Sequence, residues 1–170
     1  MFKICLFEPE IPQNTGNIAR TCAATGSELH IIHPIGFDIS EKAVRHAGLD
    51  YWKDVKIVEY DSADDFFSKH INDKMYFFSS KGKYDYSSVD YNTDDDIYLC
   101  FGKESVGLDE NILLSHLDNT LRIPMLDNIR CLNLSNSVAI VLYEALKQQG
   151  FKNFKKEGKL SNINKGAING

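Results

Sequence analysis

The sequence has few residues of the kinds that build metal centres or disulfide frameworks. It contains five histidines and four cysteines, and neither set shows the spacing of a metal site. No C-x-x-C pair occurs, and three of the cysteines (Cys5, Cys22 and Cys100) lie in apolar segments. We therefore expect reduced, mostly buried thiols, as in cytoplasmic proteins, and no bound metal.

Long hydrophobic runs are also missing. The first apolar run ends at Glu8, which predicts a strand and not a signal peptide, and no later stretch is long enough to span a membrane. Three enzyme signatures are absent as well: a G-x-G-x-x-G turn after the first strand, a P-loop and a G-x-S-x-G elbow. These absences argue against a standard dinucleotide site and against a hydrolase nucleophile.

The chain has no overall excess of basic residues. Its net charge is −5, which is unlike a protein that coats nucleic acid. The charge is uneven, because residues 151–170 carry a net charge of +4 and leave −9 on residues 1–150. This basic tail is either a solvated terminus or a contact for RNA phosphates.

What the chain does have is a regular alternation of apolar runs and helical patterns. We predict strands at 2–7, 29–33, 55–60, 75–79, 97–101 and 121–125, helices at 15–25, 41–47, 62–70, 109–117 and 135–149, and a loop at 81–96. This order predicts an α/β fold, with a mostly parallel sheet and helices on both faces. One domain is expected over residues 1–150, followed by a flexible tail at 151–170.

Three loops that follow predicted strands have unusual compositions. In parallel sheets ligands bind beyond the carboxyl ends of the strands, so these loops are candidate sites. The first, at 8–20, reads E-P-E-I-P-Q-N-T-G-N-I-A-R. Asn14 or Thr15 is suited to cap the following helix, on which Arg20 shares a polar side with Asn17. Arg20 suits a phosphate or an oxyanion, and a surface ion pair is the alternative.

The second and third loops combine glycine with polar side chains. Residues 101–108 read F-G-K-E-S-V-G-L, where Glu104 would face a cation or a hydroxyl group. Residues 122–137 contain Asn133, Ser135 and Asn136 at a predicted helix start, which is more polar groups than one cap needs. A plain connection from strand to helix is the alternative for the second loop. For the third loop the alternative is that the polar side chains only satisfy the free N–H groups of the helix start.

The last predicted helix is apolar around much of its circumference. Its main apolar face consists of Val138, Val141, Leu142, Ala145 and Leu146, and Ala139, Ile140 and Tyr143 extend that face. Such a helix is either central in the fold or covered by a partner chain.

These loops, in this order, resemble the three signature motifs of the SPOUT methyltransferases. The similarity is greatest to the TrmL (YibK-like) branch, the tRNA wobble-position 2′-O-methyltransferases. It is carried by E-P-E-I-P-Q-N-T-G-N-I-A-R at 8–20, A-G-L-D-Y at 47–51, F-G-K-E-S-V-G-L at 101–108, and R-I-P-M followed by N-L-S-N-S-V at 122–138. The resemblance spans residues 1 to about 150.

The resemblance implies a homodimer with a deep trefoil knot in its C-terminal part, one of the rare exceptions to unknotted topology. It also implies S-adenosylmethionine as the cofactor, with S-adenosylhomocysteine as the product. The implied cofactor contacts are Phe78, Gly102, Ile123, Cys131 and Leu132, where Cys131 replaces the serine of close relatives. The implied catalytic residues are Arg20 and Glu104, and the implied supporting residues are Asn14, Asn17, Ser135, Asn136 and Tyr143.

The expected function is methyl transfer to the ribose 2′-hydroxyl of nucleotide 34 in tRNA, leucine tRNAs in particular. Because a guanidinium has a pKa above about 12, we expect Arg20 to stabilise the developing alkoxide or a phosphate and not to act as the base. The anticodon region would contact basic residues, namely Lys42, Arg45, Lys53 and the lysines of the tail. The alternatives are a non-catalytic tRNA-binding protein of this fold, a 2′-O-methyltransferase for another RNA position, and a small-molecule enzyme with a nucleotide cofactor.

Overall fold

The computed structural model describes residues 1–39 and 52–160. Three sequence predictions fall outside these ranges: the helix at 41–47, the motif at 47–51, and the basic residues Lys42 and Arg45. Residues 161–170 of the tail also lie outside them.

Strands and helices alternate along the described chain. The strands are β1 (Phe2–Phe7), β2 (Glu28–Ile32), β3 (Ile57–Tyr60), β4 (Lys74–Phe78), β5 (Tyr84–Asp85), β6 (Ile97–Phe101) and β7 (Thr120–Arg122). The α-helices are α1 (Pro12–Thr25), α2 (Ala63–Lys69), α3 (Glu110–Ser115) and α4 (Leu134–Gln148). Short 3-10 turns occupy Trp52–Asp54 and Leu117–Asn119.

The seven strands form one sheet in the order β3-β2-β1-β6-β4-β7-β5, and the ladders between them are parallel. In the central ladder Lys3 lies opposite Tyr98 and Cys5 opposite Cys100. The prediction of a parallel sheet is confirmed. The prediction that 81–96 is all loop is wrong, because Tyr84 and Asp85 pair with β7 at the sheet edge. A two-residue, exposed edge strand has no apolar alternation that the sequence could reveal.

Two apolar clusters cover the two faces of the sheet. In β1, Ile4 and Leu6 point to the cluster that contains α1 and α4, while Cys5 and Phe7 point to the cluster that contains α2 and α3. Every residue of β1, β2 and β6 is buried, and the sequences of β1 and β6 are near-continuous apolar runs. The prediction of helices on both faces is therefore confirmed.

Helix α1 begins earlier than predicted. Its first residue is Pro12, whose fixed φ suits the first helical position, and the capping residue Ile11 has no side-chain cap. Asn14 and Thr15, predicted as caps, are instead buried inside the first turns. Two other helices have side-chain caps: Ser62 accepts a hydrogen bond from the Asp65 N–H, and Asp109 accepts one from the Asn111 N–H.

A polar network is buried beneath the face that carries α2. His30 is 3% exposed and contacts the Glu28 carboxylate at 3.1 Å and the Tyr60 hydroxyl at 2.8 Å. Burial lowers the pKa of His30 to about 4, so at neutral pH its contact with Glu28 is a hydrogen bond of a neutral ring. Burial opposes ionisation of Glu28, yet hydrogen bonds from Lys56, Lys3 and His30 lower its pKa to about 2.

The segment after the last helix is partly packed. Phe151 and Phe154 contact the cluster that contains α4, and their ring centroids lie 5.8 Å apart. The Lys156 ammonium donates to the Gly150 carbonyl at 2.9 Å. The domain boundary at 150 and the flexibility of the tail stay predictions.

The strand order changes direction at the centre of the sheet. From β1 the chain proceeds outward to β2 and β3, and it then returns to build β4 and β6 on the other side. In α/β sheets the carboxyl ends of the strands at such a reversal form a crevice that binds ligands. The fold therefore directs attention to the loops that follow β1, β4, β6 and β7.

Candidate cofactor site

A cavity of about 390 Å³ lies at the carboxyl edge of the sheet. Its volume falls in the range of small-molecule and cofactor sites. The loops after β1, β4, β6 and β7 all contribute to its wall. Seven sequence-predicted site residues line it: Asn14, Phe78, Gly102, Glu104, Ile123, Cys131 and Leu132.

Gly102 lies where two backbone segments touch. A Cβ atom at this position would be 2.1 Å from the Gly107 carbonyl carbon and 2.1 Å from the Leu108 nitrogen. The turn is closed by a hydrogen bond of 2.9 Å from the Gly107 N–H to the Lys103 carbonyl, and Gly107 has a φ of +76°. Because no side chain fits at 102, this part of the wall exposes bare backbone to a ligand.

One side of the cavity is apolar. The rings of Phe78 and Phe101, which end β4 and β6, stack with centroids 4.8 Å apart and an interplanar angle of 15°. Ile123, Leu108 and Leu134 add aliphatic surface. The cavity can therefore hold a flat apolar group against this side, with polar backbone close by.

Asn14 joins the three loops that the sequence singled out. Its amide nitrogen donates to Glu104 at 3.1 Å, and its amide oxygen accepts from the Asn133 side chain at 3.0 Å. Asn133 in turn caps α4 by accepting from the backbone N–H groups of Ser135 and Asn136. Asn14 is only 5% exposed, so loss of either partner would leave part of a buried amide unpaired, which is costly.

The Glu104 carboxylate supports the start of α1. It accepts hydrogen bonds from the backbone N–H groups of Glu10, at 2.8 Å, and Ile11, at 3.2 Å, in addition to the Asn14 amide. These contacts fix the backbone that enters α1, a helix with no side-chain cap of its own. Within this chain Glu104 is a positioning residue, and its predicted catalytic role stays a prediction.

The first and second loops are tied by two more contacts. Glu8 pairs with Lys103 at 2.6 Å, and this hydrogen bond raises the pKa of Lys103. Glu10 accepts from the backbone N–H and the hydroxyl of Ser105, both at 2.9 Å, and these bonds lower the pKa of Glu10. Glu8 has a φ of +52°, which is uncommon for a residue with a side chain and marks the sharp turn after β1.

Five predicted site residues are not among those that line the cavity: Asn17, Arg20, Ser135, Asn136 and Tyr143. Arg20 is exposed and lies a little over two turns into α1, not one turn as its predicted helix start implied. Tyr143 is 46% exposed on α4, with its ring 6.0 Å from that of Phe151. Their predicted roles stay predictions.

Sequence reasoning missed several residues of the wall. Ser79, Ser80 and Lys81 follow β4, and Met125 and Arg130 belong to the third loop. The position of residues 79–81 directly after a buried strand was the signal that could have identified them. The predicted strand ended at Ser79, one residue beyond the observed end at Phe78, so Ser79 was assigned to the strand and not to the loop.

The described residues offer neither a metal site nor a membrane-spanning helix. Over residues 1–39 and 52–160, no group of three or more His, Cys, Asp or Glu side chains could hold a metal ion. In the same part of the chain, no helix is both long enough and apolar enough to cross a bilayer. Of the four cysteines, Cys5, Cys22 and Cys100 are buried and Cys131 is exposed at the cavity wall.

A parallel α/β sheet with this cavity at its carboxyl edge defines a class of cofactor-binding proteins, and comparison with known families identifies the family. The model of the SpoU rRNA Methylase family matches residues 1–143. The chain belongs to the SpoU methylase family.

Named relatives cover nearly the whole chain. A tRNA (cytidine(34)-2′-O)-methyltransferase of Saccharophagus degradans is 46% identical over 152 residues, which is 89% of this chain and 97% of that protein. The protein of the same name from Escherichia coli is 42% identical over 152 residues, 89% of this chain and 96% of that one. A solved structure described as giving insight into 2′-OH methylation of C/U34 on tRNA has a TM-score of 0.80 and 39% identity, covering 89% of this chain and 98% of its own.

Proposed function

We propose that this protein transfers a methyl group from S-adenosylmethionine to the ribose 2′-hydroxyl of nucleotide 34 in tRNA, with leucine tRNAs as its substrates in the cytoplasm. The two relatives named for this reaction are 42–46% identical to the chain over nearly their whole length. The observation that carries the proposal is the cavity, because it is formed by the loops that the motif resemblance identified.

The residues present fit this cofactor. Bare backbone at Gly102 suits the polar edge of an adenine, and the stacked pair Phe78 and Phe101 offers a flat apolar surface. Glu104 is the one carboxylate on the described wall, and S-adenosylmethionine carries a net positive charge. When bound, the cofactor supplies an electrophilic methyl group on a positively charged sulfur.

The residues of the chain itself contribute chiefly by positioning the two reactants. The hydrogen bonds of Asn14 and Glu104 hold the three loops in one arrangement, so the wall does not have to reorganise when ligands bind. Holding two reactants in near-attack geometry can contribute about 7–11 kcal/mol to lowering a barrier. Removal of water from this cavity would add to the effect, because charges inside it would be less screened.

Arg20 is the proposed stabiliser of the developing alkoxide, or of a phosphate next to it. Since Arg20 is not on the cavity wall of its own subunit, this role depends on a second subunit. We propose a homodimer that brings α1 of one copy over the cavity of the other. Ile140 and Tyr143 on α4 are 38% and 46% exposed, as expected for apolar groups that a partner covers.

We also propose that the C-terminal part of the fold is a deep trefoil knot. Strand β7 pairs with both β4 and β5, so it lies between two strands that the chain joins directly. The connecting segment crosses close to β7, because a Cβ atom on Gly82 would be 2.3 Å from the Leu121 carbonyl. A threaded knot requires a later strand that lies inside an earlier connection between two strands of the same chain.

The proposed RNA contacts beyond the cavity are Lys53 and the exposed lysines of the segment after α4, namely Lys152, Lys155, Lys156 and Lys159. The acidic net charge of the protein means that tRNA has to be bound by local basic surface. Binding should therefore weaken steeply as salt rises. An affinity that is flat from low to moderate salt would refute this part of the proposal.

The test is methyl transfer from labelled S-adenosylmethionine to bulk tRNA by the purified protein. Digestion and mass spectrometry of the product would then locate the modified nucleotide. We expect a 2′-O-methyl group at position 34, recovered from leucine tRNAs. Binding of tRNA without methyl transfer would instead support a non-catalytic protein. A methyl group at another tRNA position would show that nucleotide 34 is not the target.

A further inference from the structure

The cations on the cavity wall differ in whether they already have a partner. Lys81 forms an ion pair with Glu110, and Lys103 forms one with Glu8. Arg130 also lines the cavity and is exposed. In the parts of the chain that the structure describes, its guanidinium has no hydrogen bond, ion pair or ring contact. Of these three cations, Arg130 is thus the one without an ion-pair partner among the described residues.

The backbone around Arg130 is fixed on both sides. Before it, the Ile129 N–H donates to the Leu126 carbonyl at 3.1 Å and closes a turn. After it, the Asn133 side chain donates to Asn14 at 3.0 Å and anchors the third loop to α1. Cys131 and Leu132, between these anchors, line the cavity themselves. The unpartnered guanidinium is therefore presented at the cavity by a constrained segment.

The charge of the cofactor indicates that Arg130 is not there for it. S-adenosylmethionine combines a sulfonium, an ammonium and a carboxylate, so its net charge is positive and its carboxylate already has an internal counter-charge. A second cation beside the bound cofactor would be repelled by the cofactor's net positive charge unless an anion were bound there as well. The substrate supplies that anion, because each nucleotide of RNA brings a phosphodiester with no counter-charge of its own.

We propose that Arg130 binds a backbone phosphate of the RNA next to the target nucleotide, and so positions the ribose at the cavity. This inference rests on the proposed function. The guanidinium is a planar fork that can donate two parallel hydrogen bonds to phosphate oxygens. Arg130 is a positioning residue in this account: it orients the substrate and takes no part in the transfer of the methyl group.

The test compares Arg130→Gln and Arg130→Lys with Lys69→Gln. The Lys69 variant makes the same charge change on α2, where Lys69 pairs with Asp65 on the other face of the sheet. For each protein, tRNA binding is measured by fluorescence anisotropy over a series of salt concentrations, and S-adenosylhomocysteine binding by calorimetry. Steady-state kinetics with tRNA separates KM from kcat.

We expect Arg130→Gln to weaken tRNA binding at least about tenfold, since a charge-assisted hydrogen bond to phosphate is lost. The slope of log affinity against log salt should become shallower by about one. KM for tRNA should rise more than kcat falls, and S-adenosylhomocysteine should bind within about twofold of the parent. Arg130→Lys should recover part of the tRNA affinity and the full salt slope, and Lys69→Gln should change none of these values.

Two results would overturn the inference. One is a tRNA affinity and salt slope equal to those of the parent. The other is a loss of S-adenosylhomocysteine affinity with tRNA binding intact, which would make Arg130 a cofactor ligand. Failure of the proposed function looks different: the parent protein itself would then transfer no methyl group to tRNA.

Discussion

Among single replacements of the described glycines by alanine, Gly102→Ala should damage the cofactor site most. The new Cβ atom would lie 2.1 Å from backbone atoms of Gly107 and Leu108. Carbon atoms pack at about 3.5–4.0 Å, so the two backbone segments would have to separate by roughly 1.5 Å. Both segments are cavity wall, and neither neighbour is a side chain that could rotate away.

The expected magnitudes follow from that displacement. Overpacking of this kind typically costs about 1–3 kcal/mol of stability, which lowers the melting temperature of a chain of this size by roughly 2–12 °C. A misplacement of about 1 Å at a reactive site can cost about a hundredfold in rate. We therefore expect Gly102→Ala to stay folded at 25 °C, to bind S-adenosylhomocysteine at least about tenfold more weakly, and to lose nearly all methyl transfer.

The assay combines circular dichroism melting with calorimetric titration of S-adenosylhomocysteine. Gly36→Ala is the matched control, because a Cβ atom there meets nothing within 4 Å and the substitution should change neither readout. If Gly102→Ala binds S-adenosylhomocysteine with the affinity of the parent, the close approach at 102 does not shape the cofactor site and the reasoning is wrong.

Three further predictions concern the proposed alkoxide stabiliser, the shared site and the buried histidine. Arg20→Lys should keep measurable methyl transfer and Arg20→Ala should lose nearly all of it; parental activity in Arg20→Ala would exclude the role. Unfolding and refolding an equal mixture of Arg20→Ala and Gly102→Ala should restore about a quarter of the parental activity, because half of the random dimers are mixed and each has one intact site; no recovery would argue against a site shared between subunits. Stability should fall as pH drops from about 6.5 towards 4, because unfolding lets His30 take up a proton that its buried site disfavours. His30→Gln should flatten that part of a plot of melting temperature against pH, and a profile as steep as that of the parent would show that another group is responsible.

The sheet could be predicted from the sequence because its strands are strongly marked. Strand β6 was predicted with its observed bounds, Ile97–Phe101, since five apolar residues lie between a polar loop and Gly102. Strand β5 was missed, because Tyr84 and Asp85 are exposed and their pairing partner lies far along the chain. The start of α1 was misplaced for a related reason. Glu104, more than ninety residues away, accepts from the Glu10 and Ile11 N–H groups and fixes the backbone that enters a helix without a side-chain cap.

The site could be predicted only in part. Gly102, Ile123 and Phe78 follow or end buried strands, so strand order alone brings them to one edge. The neutralisation of Lys103 by Glu8 and of Lys81 by Glu110 depends on tertiary contacts that no spacing rule reveals. The sequence therefore does not distinguish Arg130 from other basic residues. The distinction comes from the ion pairs of Lys81 and Lys103.

The central claim is that the loops after β4, β6 and β7 bind the cofactor together. Hydrogen–deuterium exchange with and without S-adenosylhomocysteine tests it most directly. Our account predicts slower exchange in peptides covering residues 78–81, 102–108 and 123–133, with β2 and β3 unchanged. Protection confined to other segments, or none at saturating ligand, would contradict it.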